Sequence, residues 1–245
     1  MLELDNVSVR FGGLTAVDGV SLTIGSRDVI GLVGSNGAGK TTLFNAISGL
    51  VRPSTGAIRF NGRDIVRAPL HVRARLGIGR TFQVPQPMHE LTVRENLLVA
   101  QRFGTGSVDQ KKIDDILAFT GLADKAQRDA ATELALTELK ALEVAKALAT
   151  APQLLLLDEV LAGLETAGKR RFIGMLRALH SKFGVGIVMI EHDIDTITSL
   201  CPRVAVLDFG QLIADGAPGA VFRDPAVIRS YTGAEAGADA GAQDA

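Results

Sequence analysis

The feature that most restricts this chain is a glycine-rich turn, Gly34-Ser35-Asn36-Gly37-Ala38-Gly39-Lys40-Thr41-Thr42, set between two segments of different period. Before it, Val29-Ile30-Gly31-Leu32-Val33 is a short, β-branched run of the kind that forms a buried strand. After it, Lys40 to Leu50 places Leu43, Ile47 and Leu50 on one helical face, with Gly49 near the end. A strand that enters a helix through three glycines can curl so that successive N–H groups point inward. Such a nest at a helix N-terminus receives a polyphosphate. Lys40 supplies a point charge for the β- and γ-phosphates, and the Thr41 hydroxyl can ligate Mg²⁺. Gly-x4-Gly-Lys-Thr arises by chance in a chain this long only about once in a hundred. The loop is read as binding ATP with Mg²⁺.

A phosphate loop needs a carboxylate to hold its metal. The run Leu154-Leu155-Leu156-Leu157 is a strand that delivers Asp158 to the carboxyl edge of a sheet, with Glu159 directly after it. Adjacent residues point to different sides, so one of the two can face the magnesium water shell while the other polarises an attacking water. His192 follows another strand, Ile187-Val188-Met189-Ile190, and Gln83 stands in Arg80-Thr81-Phe82-Gln83. Taken singly, each of these two is more often a packed, capping or surface residue than a functional one.

The rest of the chain supplies a frame. Residues 2–9 and 20–24 read as strands, and Ala57–Phe60 reads as a strand entering a tight turn at Asn61-Gly62. Between about 89 and 149 the pattern turns helical: Ser107-Val108-Asp109-Gln110 looks like a capping box, and Thr137 to Ala149 reads as a second helix. Strands return at 154–157, 187–190 and 204–207, with a helix carrying Phe172, Met175, Leu176, Leu179 and Phe183 on one face, closed by Gly184. The expected fold class is α/β with largely parallel central strands, a core of 1–88 and 150–232, and an inserted helical subdomain at 89–149. Residues 233–245 are low in large apolar groups and read as a disordered tail. A net charge of −1 gives no electrostatic case for nucleic acid or an acidic membrane surface. The N-terminal Met-Leu-Glu-Leu-Asp carries no signal-peptide pattern, and no run reaches the 18–20 apolar residues of a membrane span. The one cysteine, Cys201, beside Pro202 and Val204, reads as a structural thiol.

In this order, from Leu2 to about Gly233, these segments resemble the nucleotide-binding subunit of an ABC (ATP-binding cassette) transporter, a P-loop NTPase with a mixed sheet. The phosphate loop resembles Walker A and Leu154–Glu159 Walker B. Gln83 matches the glutamine loop, Ala162-Gly163-Leu164-Glu165 the D-loop, and His192 the switch histidine. The resemblance implies that Glu159 is the general base, that His192 contacts the γ-phosphate, and that Gln83 couples metal and water to the membrane domain. It also places Phe11 and Val17 at the nucleotide base, with Phe11 where a tyrosine is more usual. The segments Arg80–Gln83, Leu91–Ala100, Leu157–Leu164 and Ser230–Gly233 are similar to ATPase subunits of branched-chain amino acid importers and their urea, amide and aromatic-acid relatives. Implied partners are a second ATP-binding subunit, separate integral membrane permeases docking near Gln83–Met88, and indirectly a solute-binding protein, at the cytoplasmic face of the inner membrane. A P-loop kinase, a soluble ABC protein and a non-hydrolysing subunit are the competing readings.

One segment departs from the family. Where it has Leu-Ser-Gly-Gly-Gln, this chain has Leu134-Ala135-Leu136-Thr137-Glu138. In the family this signature presents N–H groups and a serine hydroxyl to ATP on the opposite subunit. Here side chains replace both glycines and Glu138 adds negative charge. Either Thr137 caps the helix and lends its hydroxyl, or this wall of the composite site is impaired and a heterodimer hydrolyses unequally at its two sites.

Overall fold

The computed structural model describes residues 1–232. Ten strands form two sheets. The first is antiparallel, in the order β2 (Leu14–Ile24), β1 (Leu2–Phe11), β4 (Thr55–Phe60), β5 (Arg63–Asp64). The second runs β10 (Gln211–Gly216), β9 (Arg203–Asp208), β3 (Val29–Val33), β8 (Gly186–Ile190), β7 (Leu154–Asp158), β6 (Ile78–Arg80). Within it all neighbours are parallel except β10, which pairs antiparallel with β9 at one edge.

Parallel strands covered on both faces read as unbroken apolar runs, and β7 shows why. Leu154 and Leu156 enter a core shared with the first sheet and helix α1 (Lys40–Ser48), together with Leu43, Phe44 and Ile47. Leu155 and Leu157 enter a second core on the opposite face. There they join α3 (Val93–Thr105), α4 (Gln110–Thr120), α5 (Leu136–Ala149) and α6 (Thr166–Phe183) through Leu97, Ile116, Leu148 and Leu176. The helical block therefore shares one continuous core with the sheet.

Several elements refine the sequence reading. α1 starts at Lys40 as expected, and Gly49, at φ +86, ends it. The Asn61-Gly62 turn carries positive φ at both residues and joins β4 to β5. Ser107 does not open a helix. It lies just beyond Gly106, the C-cap of α3, and Asp109 caps α4 by accepting from the Lys112 N–H at 3.1 Å. Helix α2 (Leu70–Leu76) and strand β6, absent from the sequence reading, fill residues 70–80. From α2 comes Arg73, wholly buried. Its guanidinium donates to the Ala46, Ile47, Val66 and Ala68 carbonyls at 2.6–3.2 Å, so it satisfies the last turn of α1, where a cation also suits the helix dipole. Two short helices, α7 (Ile194–Leu200) and α8 (Pro218–Val221), and a terminal α9 (Pro225–Thr232) complete the described residues. Cys201 is buried, and burial pushes its thiol up to about 12, so it is an inert core group.

Candidate active site

The carboxyl ends of β3, β6, β7 and β8 lie along one edge of the second sheet, which brings together four segments far apart in sequence. β3 ends in the glycine loop. Here glycine is required by close approach: a Cβ at Gly34 (φ +146) would stand 2.1 Å from the Leu207 carbonyl oxygen, and one at Gly39 (φ +99) 2.3 Å from that of Ala16. The Ala38 carbonyl accepts from the Gly210 N–H at 3.0 Å, which ties the loop to the β9–β10 turn. Gly37, by contrast, faces open space. At Gly39 no side chain caps α1, and its first turn holds no acidic residue, so its N–H groups are available to an anion. Lys40 is only 6% exposed, and its ammonium donates to the Gly34 and Ser35 carbonyls at 2.8 and 2.9 Å. Burial lowers its pKa, opposed by the charges of Glu159 and Asp158. An uncapped helix start, a glycine cradle and a buried lysine fit a polyphosphate.

The two acids at the end of β7 diverge as expected. Asp158 turns inward to a buried ion pair, its Oδ2 accepting from Arg80 Nη2 at 2.9 Å, with the two side chains 4% and 5% exposed. Arg80 also donates to Asn45 Oδ1 and Ser48 Oγ of α1 and lies over the rings of Phe82 and Phe44. Its Nε has no partner among the described residues. Burial holds the Asp158 carboxyl above the usual range, with Arg80 pulling it back down. Glu159 turns the other way. Its Oε2 accepts from Gln83 Nε2 at 2.6 Å, and its Oε1 lies 2.8 Å from His192 Nε2. The backbone at Glu159 is left-handed, φ +47, a strained conformation for a residue with a side chain.

Among the described residues no cluster of three or more side chains could hold a metal by itself. Magnesium suits such a place, because it keeps waters and takes phosphate oxygens, with one or two protein oxygens added. Asp158 and the exposed Thr41 carry oxygens of that kind, and the Gln83 amide is turned to Glu159. Ser35, Asn36 and Thr42 lie along the same loop and first turn.

For the base, the two residues part company. Phe11 is half exposed at the β1–β2 turn and can offer a ring face. Val17 is 0% exposed and packed in the first sheet opposite Val9. Its side chain backs the sheet and does not line an open surface. An irregularity in the β1–β2 register at Gly19, φ +61, lets Val17 and Val20, three residues apart, both be buried.

The Leu134–Glu138 segment also corrects an expectation. Thr137 is not the cap of α5. The helix opens at Leu136, and the Glu138 carboxylate reaches back to the Ala135 N–H at 2.9 Å while pairing with Lys125 at 2.6 Å. Leu136, 44% exposed, stands at the helix start. The first turn is therefore occupied by its own carboxylate and an apolar side chain.

Beside Asp158 and Glu159, the charged side chains Arg80, Lys140 and Glu191 are buried and escaped the sequence reading. Lys140 Nζ donates to the Gln83 carbonyl at 2.6 Å and the Glu159 carbonyl at 3.1 Å. Glu191 accepts from the Leu161 N–H at 2.9 Å, and burial pushes its carboxyl up to about 7. The available signal was position: Glu191 ends an apolar strand beside His192, and Lys140 interrupts the buried face of α5. Next to them Asp193 caps α7 and pairs with Lys169 at 2.6 Å, and its carboxyl falls to about 2, chiefly through the Lys169 bond.

Known proteins resemble this chain along nearly its whole length. Residues 17–162 match the family model described as ABC transporter, and residues 211–237 match that of the branched-chain amino acid ATP-binding cassette transporter. The chain is 36% identical to the high-affinity branched-chain amino acid transport ATP-binding protein BraF of Pseudomonas aeruginosa, over 95% of this chain and 98% of that protein. It is 34% identical to LivG of Salmonella typhimurium, described in the same words, with the same coverage. Among solved structures, an ATP-binding cassette of an ABC transporter in its ADP conformation superposes with a TM-score of 0.85 at 31% identity, covering 96% of this chain and 99% of that one. A nucleotide-free cassette gives 0.82 at 29% identity, covering 94% and 98%.

Proposed function

The chain belongs to the ABC transporter ATP-binding family, and we propose that it is the ATP-hydrolysing subunit of an importer for branched-chain amino acids or a related amide or acid. The observation that carries this reading is the meeting at Glu159 of Gln83 and His192, beside a glycine cradle with a buried lysine. Lys40 and the N–H groups of Gly34–Thr42 hold the phosphates, and Phe11 stacks on the base. Asp158 and Thr41 would hold Mg²⁺, which would supply neutralisation of charge on the transferring phosphoryl group. Glu159 takes the proton of the attacking water, His192 orients it and meets the γ-phosphate, and Gln83 joins this pair to the loop that follows.

Among the described residues no helix is long and apolar enough to cross a membrane, so in this reading separate permease subunits provide the path. The chain then works at the cytoplasmic face of the inner membrane, with a second ATP-binding subunit and, indirectly, a solute-binding protein. Residues 89–149 form its helical subdomain. The Gln83–Met88 loop, with Val84 exposed, is the docking surface for a permease helix.

The occupied first turn of α5 favours a heterodimer in which this chain supplies the chemistry of one site and a poor wall for the other. The test is ATP turnover by the assembled transporter carrying Glu159→Gln, set against the equivalent change in the partner. Loss of turnover with Glu159→Gln alone is expected, while MgATP binding persists. If only the partner's change stops turnover, this chain is the non-hydrolysing subunit instead.

A further inference from the structure

The second turn of α5 reaches the backbone at this chain's own acids. Lys140 is 3% exposed, and its ammonium donates to two main-chain carbonyls, Gln83 at 2.6 Å and Glu159 at 3.1 Å. These are the two residues whose side chains meet through Gln83 Nε2 and Glu159 Oε2 at 2.6 Å. One cation therefore fixes the backbones of both members of that pair from below.

The rest of the same helix face repeats the arrangement at a spacing of three residues. Glu143 Oε1 accepts from the Gln86 N–H at 2.9 Å, and Lys146 donates to the Gln86 carbonyl while pairing with Glu143 at 2.6 Å. Residues 140, 143 and 146 lie on one face of a helix. Together they strap the 83–86 loop, which has no regular structure of its own, onto α5.

Glu159 needs such support more than its neighbours. Its left-handed φ of +47 persists only if the surroundings over-determine it. Its N–H is held by the Ile190 carbonyl at 3.0 Å, and its carbonyl by Lys140 at 3.1 Å and the Ala162 N–H at 3.2 Å. Burying an ammonium is costly unless its donors are used, and carbonyls at the end of β7 and in the 83–86 loop give Lys140 that use. A leucine here would fill the space as well but leave the Gln83 carbonyl unmatched and the Glu159 carbonyl with the Ala162 N–H, at 3.2 Å, as its one remaining donor among the described residues.

We propose that Lys140 is a positioning residue that sets the direction of the Glu159 carboxylate and locks it to Gln83. Through it, a shift of α5 or of the 83–86 loop moves the base itself. The inference rests on the reading of Glu159 as general base and goes beyond it in assigning the control of that base to the helix behind it.

The experiment uses the assembled transporter with Lys140→Met, Lys140→Arg and Glu159→Gln, measuring kcat and KM for ATP and the affinity for a fluorescent ATP analogue with Mg²⁺. Lys140→Met is expected to lower kcat about tenfold or more, because a small misplacement of a catalytic group costs up to ~10²-fold, with nucleotide affinity within about twofold of the parent. Lys140→Arg keeps the charge and donors and is expected to recover most of kcat. A Lys140→Met transporter with parental kcat overturns the proposal. So does a fall of kcat and nucleotide affinity together that Lys140→Arg does not relieve, which marks a residue needed only for folding. If Lys140→Met does not assemble, Lys140→Gln, which keeps one donor pair, is held to the same criteria. Retained turnover in Glu159→Gln would instead sink the general-base reading. Loss of turnover there with parental kcat in Lys140→Met sinks this inference alone.

Discussion

Replacing Arg80 with methionine removes the only cation bonded to Asp158 among the described residues, at a place where both side chains are about 5% exposed or less. Two unit charges 2.9 Å apart attract strongly, but the desolvation of each offsets most of that gain. What survives is the asymmetry: with Arg80 gone, Asp158 stays buried without its partner, which costs about 3–5 kcal/mol. Asn45 and Ser48 lose a donor as well. For a chain of this size that loss lowers Tm by roughly 6–20 °C. The sign of the pH dependence follows from Asp158. Its folded-state pKa is already raised by burial, and losing Arg80 raises it further. A carboxyl raised on folding contributes stability below its unfolded pKa, and that stability is lost as pH rises through the folded value. The gap between Arg80→Met and the parent is therefore narrow near pH 5 and wide at pH 8. Urea denaturation at both pH values measures it, with Asp158→Asn and the double variant closing a double-mutant cycle. A loss under about 1 kcal/mol at pH 8, a gap that does not change with pH, or strict additivity in the cycle would refute the reasoning.

Three further outcomes are expected. Lys40→Ala should weaken MgATP binding about 10- to 100-fold, the worth of charge-assisted bonds to phosphate; titration with a fluorescent analogue reads it, and unchanged affinity would remove the glycine loop as the site. Glu191→Gln should stabilise the protein at pH 8 by up to about 3 kcal/mol, because the carboxyl pushed up to about 7 must ionise there in the folded state. Below about pH 4.5 both states are protonated and the advantage should vanish. Arg73→Met should cost about 3–5 kcal/mol, since four carbonyls lose their donor, and hydrogen exchange should show α1 opening more readily.

Much of the site was legible because each part rests on local chemistry. The loop at Gly34–Thr41 announces itself through residue types that backbone curvature and phosphate both demand, and Asp158-Glu159 follows from an apolar strand that ends in acids. What was not legible depends on partners remote in sequence. Strand β6 is three residues long and exists because Ile78–Arg80 pairs with Leu154–Leu156, which no short window reveals. The cap of α4 passed from Ser107 to Asp109 because α3 runs on to Thr105 and claims the intervening turn. Thr137 does not cap α5 because the helix opens one residue earlier, at Leu136, which places Thr137 inside the first turn. Arg80 and Lys140 look like surface charges until the segments they bridge are seen together. The tail expected after Gly233 lies outside the described residues.

The clamping of the glycine loop has a kinetic meaning. Leu207 and Ala16 press on Gly34 and Gly39, and Gly210 ties down Ala38, so the cradle has its shape before any nucleotide arrives. Capture of the phosphates then needs no prior ordering of this loop. In a stopped-flow experiment the observed rate of nucleotide association should rise linearly with nucleotide concentration and show no plateau set by a slow isomerisation.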